Sequence, residues 1–151
     1  MMKKKMKKTK PKNTKKKAAP PALNYINWSQ LEMEEVNPLF RRQFVVGQNV
    51  MLSRILLKQG CIVPLHSHHN EQISFVLEGA LKFWIDGQEI VVGGGEVLAI
   101  PPHMPHKVEA LLDTTTMDIF SPPRADWMKK TDQYLRDAPA ETVKSPRTVG
   151  R

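Results

Sequence analysis

Cysteine is almost absent from this sequence, since Cys61 is the single one among 151 residues. One cysteine cannot form a disulfide within the chain, and zinc sites built on paired cysteines need several. Any metal site must therefore use histidine and oxygen ligands. No stretch approaches the roughly 18 consecutive apolar residues of a membrane span, and the Lys-rich N-terminus lacks the apolar core of a secretory signal. We therefore expect a protein of the reducing cytoplasm with no membrane partner.

Arginine and aromatic residues are missing from residues 1–22, where ten lysines lie. The net charge of +8 comes from 23 cationic and 15 acidic residues, and subtracting these ten lysines leaves 13 cations against the same 15 acids. The rest of the chain is nearly neutral, which does not favour specific binding to nucleic acid. The Lys block cannot bury enough apolar surface to fold. We interpret it as a disordered tail, with weak binding to polyanions as the alternative.

The remaining chain divides into one domain and a second tail. Residues 137–151 contain few large apolar side chains and two prolines, which is typical of a loose terminus. Residues 23–136 hold nearly all the Ile, Leu, Val, Phe and Trp, and about 115 residues suffice for one compact core. We therefore predict a single domain over 23–136 between tails at 1–22 and 137–151.

Short apolar runs separated by turn residues dominate that domain, and the helical period is scarce. Such evenly spaced strands predict an all-β fold, either an antiparallel sandwich or a barrel. Asp86-Gly87 has the usual composition of a tight hairpin turn. The predicted strands are 42–46, 50–58, 62–66, 72–77, 80–85, 89–92, 97–100, 106–111 and 115–120.

Two short helices are expected beside the strands, and both are interpreted as packing elements. Ser29 to Glu32 fits a capping box, so a helical turn is predicted to begin at Ser29. Near the end of the domain, Asp126 is predicted to cap a helix. The residues of that helix that fall on one face are Trp127, Thr131, Tyr134 and Leu135.

All five histidines lie between His66 and His106. His66 and His68 are two residues apart, so in an extended strand both rings point to the same face and can converge on one cation. Gln72 and His106 are placed to close such a site from neighbouring strands. A His-x-His pair alone is weak evidence, and satisfied structural or surface histidines are the alternative.

Two ordered motifs surround these histidines. Gly60, His66, His68, Gln72 and Gly79 are separated by five, one, three and six residues, and this segment resembles the first cupin motif with Gln72 where Glu is usual. Downstream, Gly95, Pro101 and His106 follow the second motif, with His103 where Gly is common and Ala110 where Asn is common. The resemblance covers about 37–120 and implies a single-domain cupin, an antiparallel double-stranded β-helix or jelly-roll barrel with short flanking helices.

A narrower resemblance rests on HSHHNEQISFVLEGALKF (66–83), IPPHMPHKVEAL (100–111) and DIFSPPRADW (118–127). These segments resemble the KdgF-type cupins of pectin degradation, which open unsaturated uronate monosaccharides released by pectate or alginate lyases. The resemblance implies a divalent metal, Zn, Ni, Fe, Mn or Cu, on four ligands: His66, His68, Gln72 and His106. It further implies an isomerase-like enzyme with a small anionic sugar as substrate, and a homodimer formed through sheet edges or strand exchange.

The same resemblance assigns catalytic roles to Asp118, Phe120 and Arg124. Neutral Gln72 and three neutral imidazoles would leave the full metal charge in the cavity, which favours an anionic, oxygen-rich substrate. Asp118 would move a proton, Phe120 would pack on the sugar ring, and the planar guanidinium of Arg124 would pair bidentately with the uronate carboxylate. Without the resemblance, Asp118 is interpreted as a strand-end residue and Arg124 as a surface cation.

Other residues and reactions remain open alternatives. Glu71 and His69 adjoin the ligands, but their strand parity points them away from the site, and His103 is interpreted as an exposed turn histidine rather than a spare ligand. One alternative function is a cupin dioxygenase using Fe or Cu, although nothing in the sequence marks an oxidisable substrate. Another is a noncatalytic cupin that binds uronates or other sugars without altering them.

Overall fold

The computed structural model describes residues 22–138. The predicted Lys-rich tail, except for Ala22, and most of the predicted C-terminal tail lie outside the described residues. No helix among the described residues is long and apolar enough to cross a membrane.

Ten strands make up most of the described chain, as the alternation of apolar residues predicts. Nine of them coincide with predicted strands to within two residues at each end. The strands are β1 (Glu34–Asn37), β2 (Phe40–Val46), β3 (Met51–Leu57), β4 (Ile62–His66), β5 (Glu71–Glu78), β6 (Ala80–Ile85), β7 (Gln88–Gly93), β8 (Val97–Ile100), β9 (His106–Ala110) and β10 (Thr114–Ser121).

Two antiparallel sheets are formed from these strands. One has six strands in the order β1-β2-β3-β10-β5-β8, and the other has four in the order β4-β9-β6-β7. Asp86 and Gly87 both have positive φ angles, 50° and 68°, in the hairpin between β6 and β7, which confirms the predicted tight turn. The all-β prediction is therefore confirmed as a two-sheet jelly-roll.

The hydrophobic core lies between the sheets. β3 alternates strictly, with Met51, Ile55 and Leu57 buried, and β6 contributes buried Leu81 and Phe83 from the other sheet. Burying a side chain of this size stabilises the fold by about 1.5–3 kcal/mol relative to exposure.

β1 was not predicted from the sequence. Its segment, EEVN, holds one large apolar residue, Val36, so no period of two is visible. It forms because its position at the sheet edge pairs Glu34 with Arg42 of β2, and Arg42 Nε donates to Glu34 Oε2 at 3.0 Å. An ion pair with the neighbouring strand therefore supplies what the propensity of the segment itself does not.

The helical predictions were partly wrong. A 3-10 helix covers Trp28–Gln30, and its cap is Asn27, whose Oδ1 accepts from the Ser29 backbone N–H at 3.0 Å. Ser29 therefore lies inside the turn rather than capping it. The cap lies two residues earlier because Asn27 adopts the extended backbone conformation that a cap requires.

The predicted C-terminal helix is two single turns, α1 (Ala125–Met128) and α2 (Gln133–Arg136). Lys130 between them has a φ of 55°, which no α-helix can contain. Trp127 and Leu135 are buried as the periodicity predicts, whereas Thr131 is exposed. Asp126 does not cap the helix, because its carboxylate is held by Arg124.

Candidate metal centre

Three histidines converge between the two sheets. His66 ends β4, His68 follows it, and His106 begins β9 as the direct partner of His66 in the strand pairing. Their ligand-capable nitrogen atoms all lie within 4.8 Å of one another. The two-residue spacing and the pairing of β4 with β9 together create this cluster, which is compatible with a divalent metal ion.

Each of the three rings is oriented by a backbone carbonyl two residues away in the chain. His66 Nδ1 lies 2.7 Å from Pro64 O, and His68 Nδ1 lies 3.0 Å from Asn70 O. His106 Nδ1 lies 2.8 Å from Met104 O. Because a carbonyl can only accept, each Nδ1 must carry the proton. The Nε2 lone pairs are thus left available for a cation, as in metal sites whose ligand tautomer is set by a second hydrogen bond.

The environment keeps these rings neutral. Burial, followed by the charge of His106, lowers the pKa of His66 to about 3. Burial, followed by the charge of Arg124, lowers the pKa of His68 to about 4, and burial also lowers the pKa of His106. Neutral imidazole is the form that binds a metal, so at neutral pH no proton has to be displaced.

Gln72 completes the predicted ligand set. It is 5% exposed on the inner face of β5, and its Oε1 lies 3.1 Å from His68 Nε2. Its Nε2 donates to Ser74 Oγ at 2.9 Å and to Asp118 Oδ2 at 3.3 Å, which orients the amide oxygen toward the histidines. Since His68 Nε2 carries no proton, two acceptors face each other there, and a cation is the group that would satisfy both.

Asp118 lies on the inner face of β10 next to Gln72. Its carboxylate is buried and accepts from Thr116 Oγ1 at 3.1 Å. Burial raises its pKa to about 6, although hydrogen bonds from Ser74 and Thr116 and the charge of Arg124 oppose that rise. A carboxyl group with such a pKa can both accept and release a proton near neutral pH.

Phe120 lies two residues after Asp118 and points to the same interior, as the strand parity predicts. It is 1% exposed, and its ring meets His68 edge-on at 5.8 Å between centroids and Trp127 at 5.0 Å. Little of the ring is free to contact a sugar. Its observed contacts shape the wall beside His68.

Arg124 is buried, and two of its three guanidinium nitrogens already have hydrogen-bond partners. Its Nε and Nη2 atoms already form a bidentate pair with Asp126, at 2.9 and 2.8 Å, and Nη2 also donates to the Tyr134 hydroxyl at 2.8 Å. The guanidinium lies over Phe120 with its carbon 5.1 Å from the ring centroid. The sequence analysis did not anticipate this pairing because it assigned Asp126 to a helix cap, whereas Asp126 folds back onto Arg124.

Two residues of the site were missed by the sequence analysis. Tyr134 was assigned to packing, yet its ring stacks on His66 at 4.8 Å and 25° while its hydroxyl binds Arg124. Asn70 is 2% exposed, and its Nδ2 donates to Pro122 O at 2.6 Å and Pro123 O at 3.3 Å. Its position in the sequence between His68 and Gln72 was the one indication that Asn70 belongs to the site.

Three further residues lie where the sequence predicted. His69 and Glu71 are exposed, on the side away from buried Gln72. His103 is exposed in a turn with a φ of 66°, and its backbone N–H donates to His68 O at 2.8 Å. His103 therefore supports the loop of His68 through its backbone rather than through its ring.

The cavity at this cluster has a volume of about 40 Å³, enough for a few water molecules. His66, Gln72, His106, Asp118 and Arg124 line it on the polar side. Most of its other walls are apolar. They are formed by Phe40, Ile55, Leu57, Val63, Leu81, Phe83, Val108, Phe120, Trp127 and Leu135.

Comparison with known sequences supports one family. The profile described as the cupin domain matches residues 53–121, which include both histidine segments. An uncharacterized protein of Methanocaldococcus jannaschii is 29% identical over 75 residues, or 49% of this chain. The matched region spans 60% of the length of that relative.

Solved structures show the same fold. KdgF from Halomonas sp. superposes with a TM-score of 0.66 at 24% identity, covering 70% of this chain and 99% of that one. An RmlC-like cupin from Shewanella frigidimarina gives 0.66 at 27% identity, covering 71% and 97%. An oxalate decarboxylase of Bacillus subtilis, described for its Mn(II) centres, gives 0.58 at 20% identity, covering 64% and 29%. Because these folds and the profile match agree with the two histidine-bearing segments, residues 53–121 form a cupin domain, and the fold resembles that of the KdgF-type cupins.

Proposed function

We propose that this protein is a metal-dependent enzyme that opens the ring of 4,5-unsaturated uronate monosaccharides, giving the linear 4-deoxy-5-keto uronate. The observation that carries the proposal is the cluster of His66, His68 and His106, which Gln72 joins to Asp118 through its two amide atoms. That neutral donor set fits Zn, Ni, Fe, Mn or Cu in the divalent state. When bound, such an ion would polarise a substrate oxygen as a Lewis acid and orient the sugar.

The reaction is an isomerisation, so it needs proton movement and no oxidant. The anomeric hydroxyl loses a proton and the bond from C1 to the ring oxygen breaks. The former ring oxygen becomes the ketone oxygen at C5, and C4 gains a proton. Asp118 is assigned this proton transfer because Thr116 and Gln72 hold its two oxygens in place and its pKa lies near 6.

Arg124 is assigned a different contact from the one expected at first. With Nε and Nη2 engaged, Nη1 is the part of its guanidinium that makes no hydrogen bond to a described residue. We infer that it donates to the uronate carboxylate through Nη1 alone. Asp126 and Tyr134 hold the guanidinium for that contact and are positioning residues.

A sugar ring is larger than the observed cavity, so binding requires the wall to move. Arg124, Trp127, Tyr134 and Leu135 form the wall contributed by α1 and α2 with the turn before them. Each of these helices is only four residues long and so consists of a single turn. We infer that this wall, rather than the sheets, adjusts when the substrate enters.

The test is to mix the purified, metal-loaded protein with unsaturated galacturonate and follow the loss of ring-alkene absorbance. Acceleration over buffer is expected with at least one divalent metal, without consumption of oxygen. Absence of acceleration with every common divalent metal would refute the proposal. Binding without turnover would instead indicate a noncatalytic uronate-binding protein, and oxygen uptake would indicate a dioxygenase.

Asp118→Asn should lower turnover by about 100-fold or more while metal content stays unchanged. Glu71→Gln is the matched control, because this carboxylate is exposed on the opposite face of β5. Loss of metal in Asp118→Asn would contradict the division between proton transfer and metal binding.

A homodimer also belongs to this proposal, since the resemblance to the KdgF-type cupins implies one. The Lys-rich residues 1–22 are given no part in the reaction.

A further inference from the structure

Four charged side chains form a closed ring of ion pairs between the six-stranded sheet and α2. Arg42 Nε donates to Glu34 Oε2 at 3.0 Å, and Arg42 Nη1 donates to Asp132 Oδ2 at 2.6 Å. Arg136 binds the same two carboxylates, through Nη2 to Glu34 Oε1 at 2.8 Å and through Nε to Asp132 Oδ1 at 3.1 Å. We call these four residues the ion-pair ring.

Arg42 and Asp132 are the buried half of the ion-pair ring. Their side chains are both 0% exposed, whereas those of Glu34 and Arg136 are 21% and 22% exposed. Because removing charges from water is costly, a buried ion pair is weak evidence for stability. Arg42 Nη2 is also buried without a hydrogen-bond partner among the described residues, which adds a further cost. Stability alone therefore does not account for the burial of Arg42.

The face of the Arg42 guanidinium contacts the wall of the candidate metal centre. Its carbon lies 4.3 Å from the ring centroid of Trp127, which is itself buried. The same Trp127 ring lies 5.0 Å from Phe120 between centroids and 5.1 Å from the guanidinium carbon of Arg124. A planar guanidinium stacks well on an aromatic face. Through one ring, Arg42 thus reaches the arginine that is proposed to bind the uronate carboxylate.

The edge of the same guanidinium holds the second part of the wall. Asp132 immediately precedes α2, and Tyr134 and Leu135, which line the cavity, follow within three residues. Leu135 O also accepts from Asn37 Nδ2 at 2.9 Å, at the end of β1. Arg42 of β2 therefore ties both short helices of the wall to the six-stranded sheet, α1 through Trp127 and α2 through Asp132.

We propose that Arg42 is a positioning residue, a role that rests on the proposed ring opening. It holds α1 and α2 where Arg124 and Tyr134 can face the substrate. Asp118 and the three clustered histidines lie on or next to β10, β4 and β9, none of which pairs with β2. Arg42 therefore acts on the binding of the substrate rather than on proton transfer at Asp118.

Arg42→Lys tests this role, because lysine keeps the positive charge beside Asp132 but has no planar face for Trp127. In the ring-opening assay, KM should rise by roughly tenfold while kcat changes by less than about threefold, as expected when binding shared by the ground state and the transition state is lost. Arg41→Lys is the matched control, since Arg41 is exposed on the same strand, and both constants should stay unchanged. An unchanged KM in folded Arg42→Lys, or a loss confined to kcat, overturns the proposal.

The fluorescence of Trp127 gives a second readout that needs no reaction. With Trp28→Phe and Trp84→Phe in the background, Trp127 is the only tryptophan of the chain. In the folded protein, Arg42→Lys should shift its emission to longer wavelength and increase its quenching by acrylamide, because the ring loses the guanidinium that covers it. Arg41→Lys should show the emission of the parent protein.

Asp132→Asn covers the case in which Arg42→Lys does not fold. The amide keeps an acceptor for Arg42 Nη1 but removes the charge that holds α2, so KM should again rise. An unchanged KM in this variant overturns the proposal.

The two readouts distinguish loss of the anchor from absence of the reaction. A wild type that opens no uronate ring refutes the proposed function, and the quenching of Trp127 then decides whether Arg42 holds the wall. A wild type that opens the ring, together with an Arg42→Lys protein whose Trp127 is quenched no more than in the parent, overturns the role of Arg42 alone.

Discussion

At the scale of single residues, hydrogen bonds to backbone carbonyls determine what the histidines can bind. His66, His68 and His106 each place Nδ1 on a carbonyl two residues away, which fixes the tautomer without any acidic partner. The cluster therefore contains no ionised donor, and Asp118, the carboxylate beside Gln72, is the group that we propose for proton transfer.

Cys61 is predicted to be unreactive in the folded protein. It is 2% exposed, and burial raises the pKa of its thiol to about 12. A thiol reagent near pH 8 should label it only after unfolding in guanidinium. Rapid labelling of the native protein would contradict its burial.

The same thiol makes stability depend on pH in the alkaline range. Above pH 9 the unfolded chain loses the thiol proton whereas the folded chain keeps it, so stability falls as the pH rises. By pH 10 the loss from this one group is about 1.4 kcal/mol. Urea denaturation of the wild type and of Cys61→Val at pH 8 and pH 10 isolates the contribution of this thiol. If both proteins lose the same stability between the two pH values, the loss does not come from Cys61.

Asn70 is predicted to hold the turn before Arg124 against the histidine loop. Asn70→Ala removes its donors to Pro122 O and Pro123 O but keeps the backbone carbonyl that His68 Nδ1 uses. We expect a loss of about 1–3 kcal/mol in the free energy of unfolding with unchanged metal content. Urea denaturation measures the free energy of unfolding, and metal analysis measures the metal content. Asn49→Ala is the control, because Asn49 is exposed. Loss of metal would show that Asn70 acts on His68 instead.

At the scale of elements, the connection between β5 and β6 is closely packed against the start of β10. Gly79 has a φ of 95°, and a Cβ there would lie 2.5 Å from Asp113 O and 2.8 Å from Thr114 Cα. Both contacts are with backbone, which cannot move aside cheaply. The conformation and the lack of space thus both require glycine at this position.

Gly79→Ala is therefore predicted to lower the free energy of unfolding by at least about 3 kcal/mol. Gly87→Ala is the matched control, since Gly87 also has a positive φ, 68°, but has no atom within 4 Å of a Cβ. That control should cost about 1–2 kcal/mol. Equal losses in urea denaturation would show that backbone conformation, not crowding, dominates at both sites.

Much of the strand organisation was predictable, and much of the C-terminal segment was not. Nine strands were predicted from the local alternation of apolar and polar residues. Strand parity also correctly placed Gln72 on the inner face and Glu71 on the outer face. The break at Lys130 and the pairing of Asp126 with Arg124 were not predictable, because both depend on what α1 and α2 pack against. The outward direction of Phe75 and Leu77 also escaped notice, since the inward Gln72 and Ser74 invert the usual meaning of the alternation.

At the scale of the whole molecule, the three histidines join β4 and its following loop to β9. A divalent metal that binds them would therefore cross-link segments far apart in the chain. Because the unfolded chain does not hold them together, binding stabilises the folded state by mass action.

Adding a suitable divalent metal at about 100 times its dissociation constant should stabilise the protein by about 2.7 kcal/mol, or roughly 10 °C in Tm. A chelator should reverse the shift. His106→Ala should abolish it, whereas His103→Ala, at an exposed turn, should retain it. A metal-induced shift that survives His106→Ala would place the metal elsewhere.

The sequence by itself determined the donor types, their spacing and the strand parity that directs them inward, because these follow from backbone geometry over a few residues. The lone cysteine already confined any metal to histidine and oxygen ligands. Tertiary structure alone decided the convergence of β4 with β9, the occupation of Arg124 by Asp126 and Tyr134, and the contact of Asn70 with the turn before Arg124. Those contacts join residues through long-range packing, which no local period encodes.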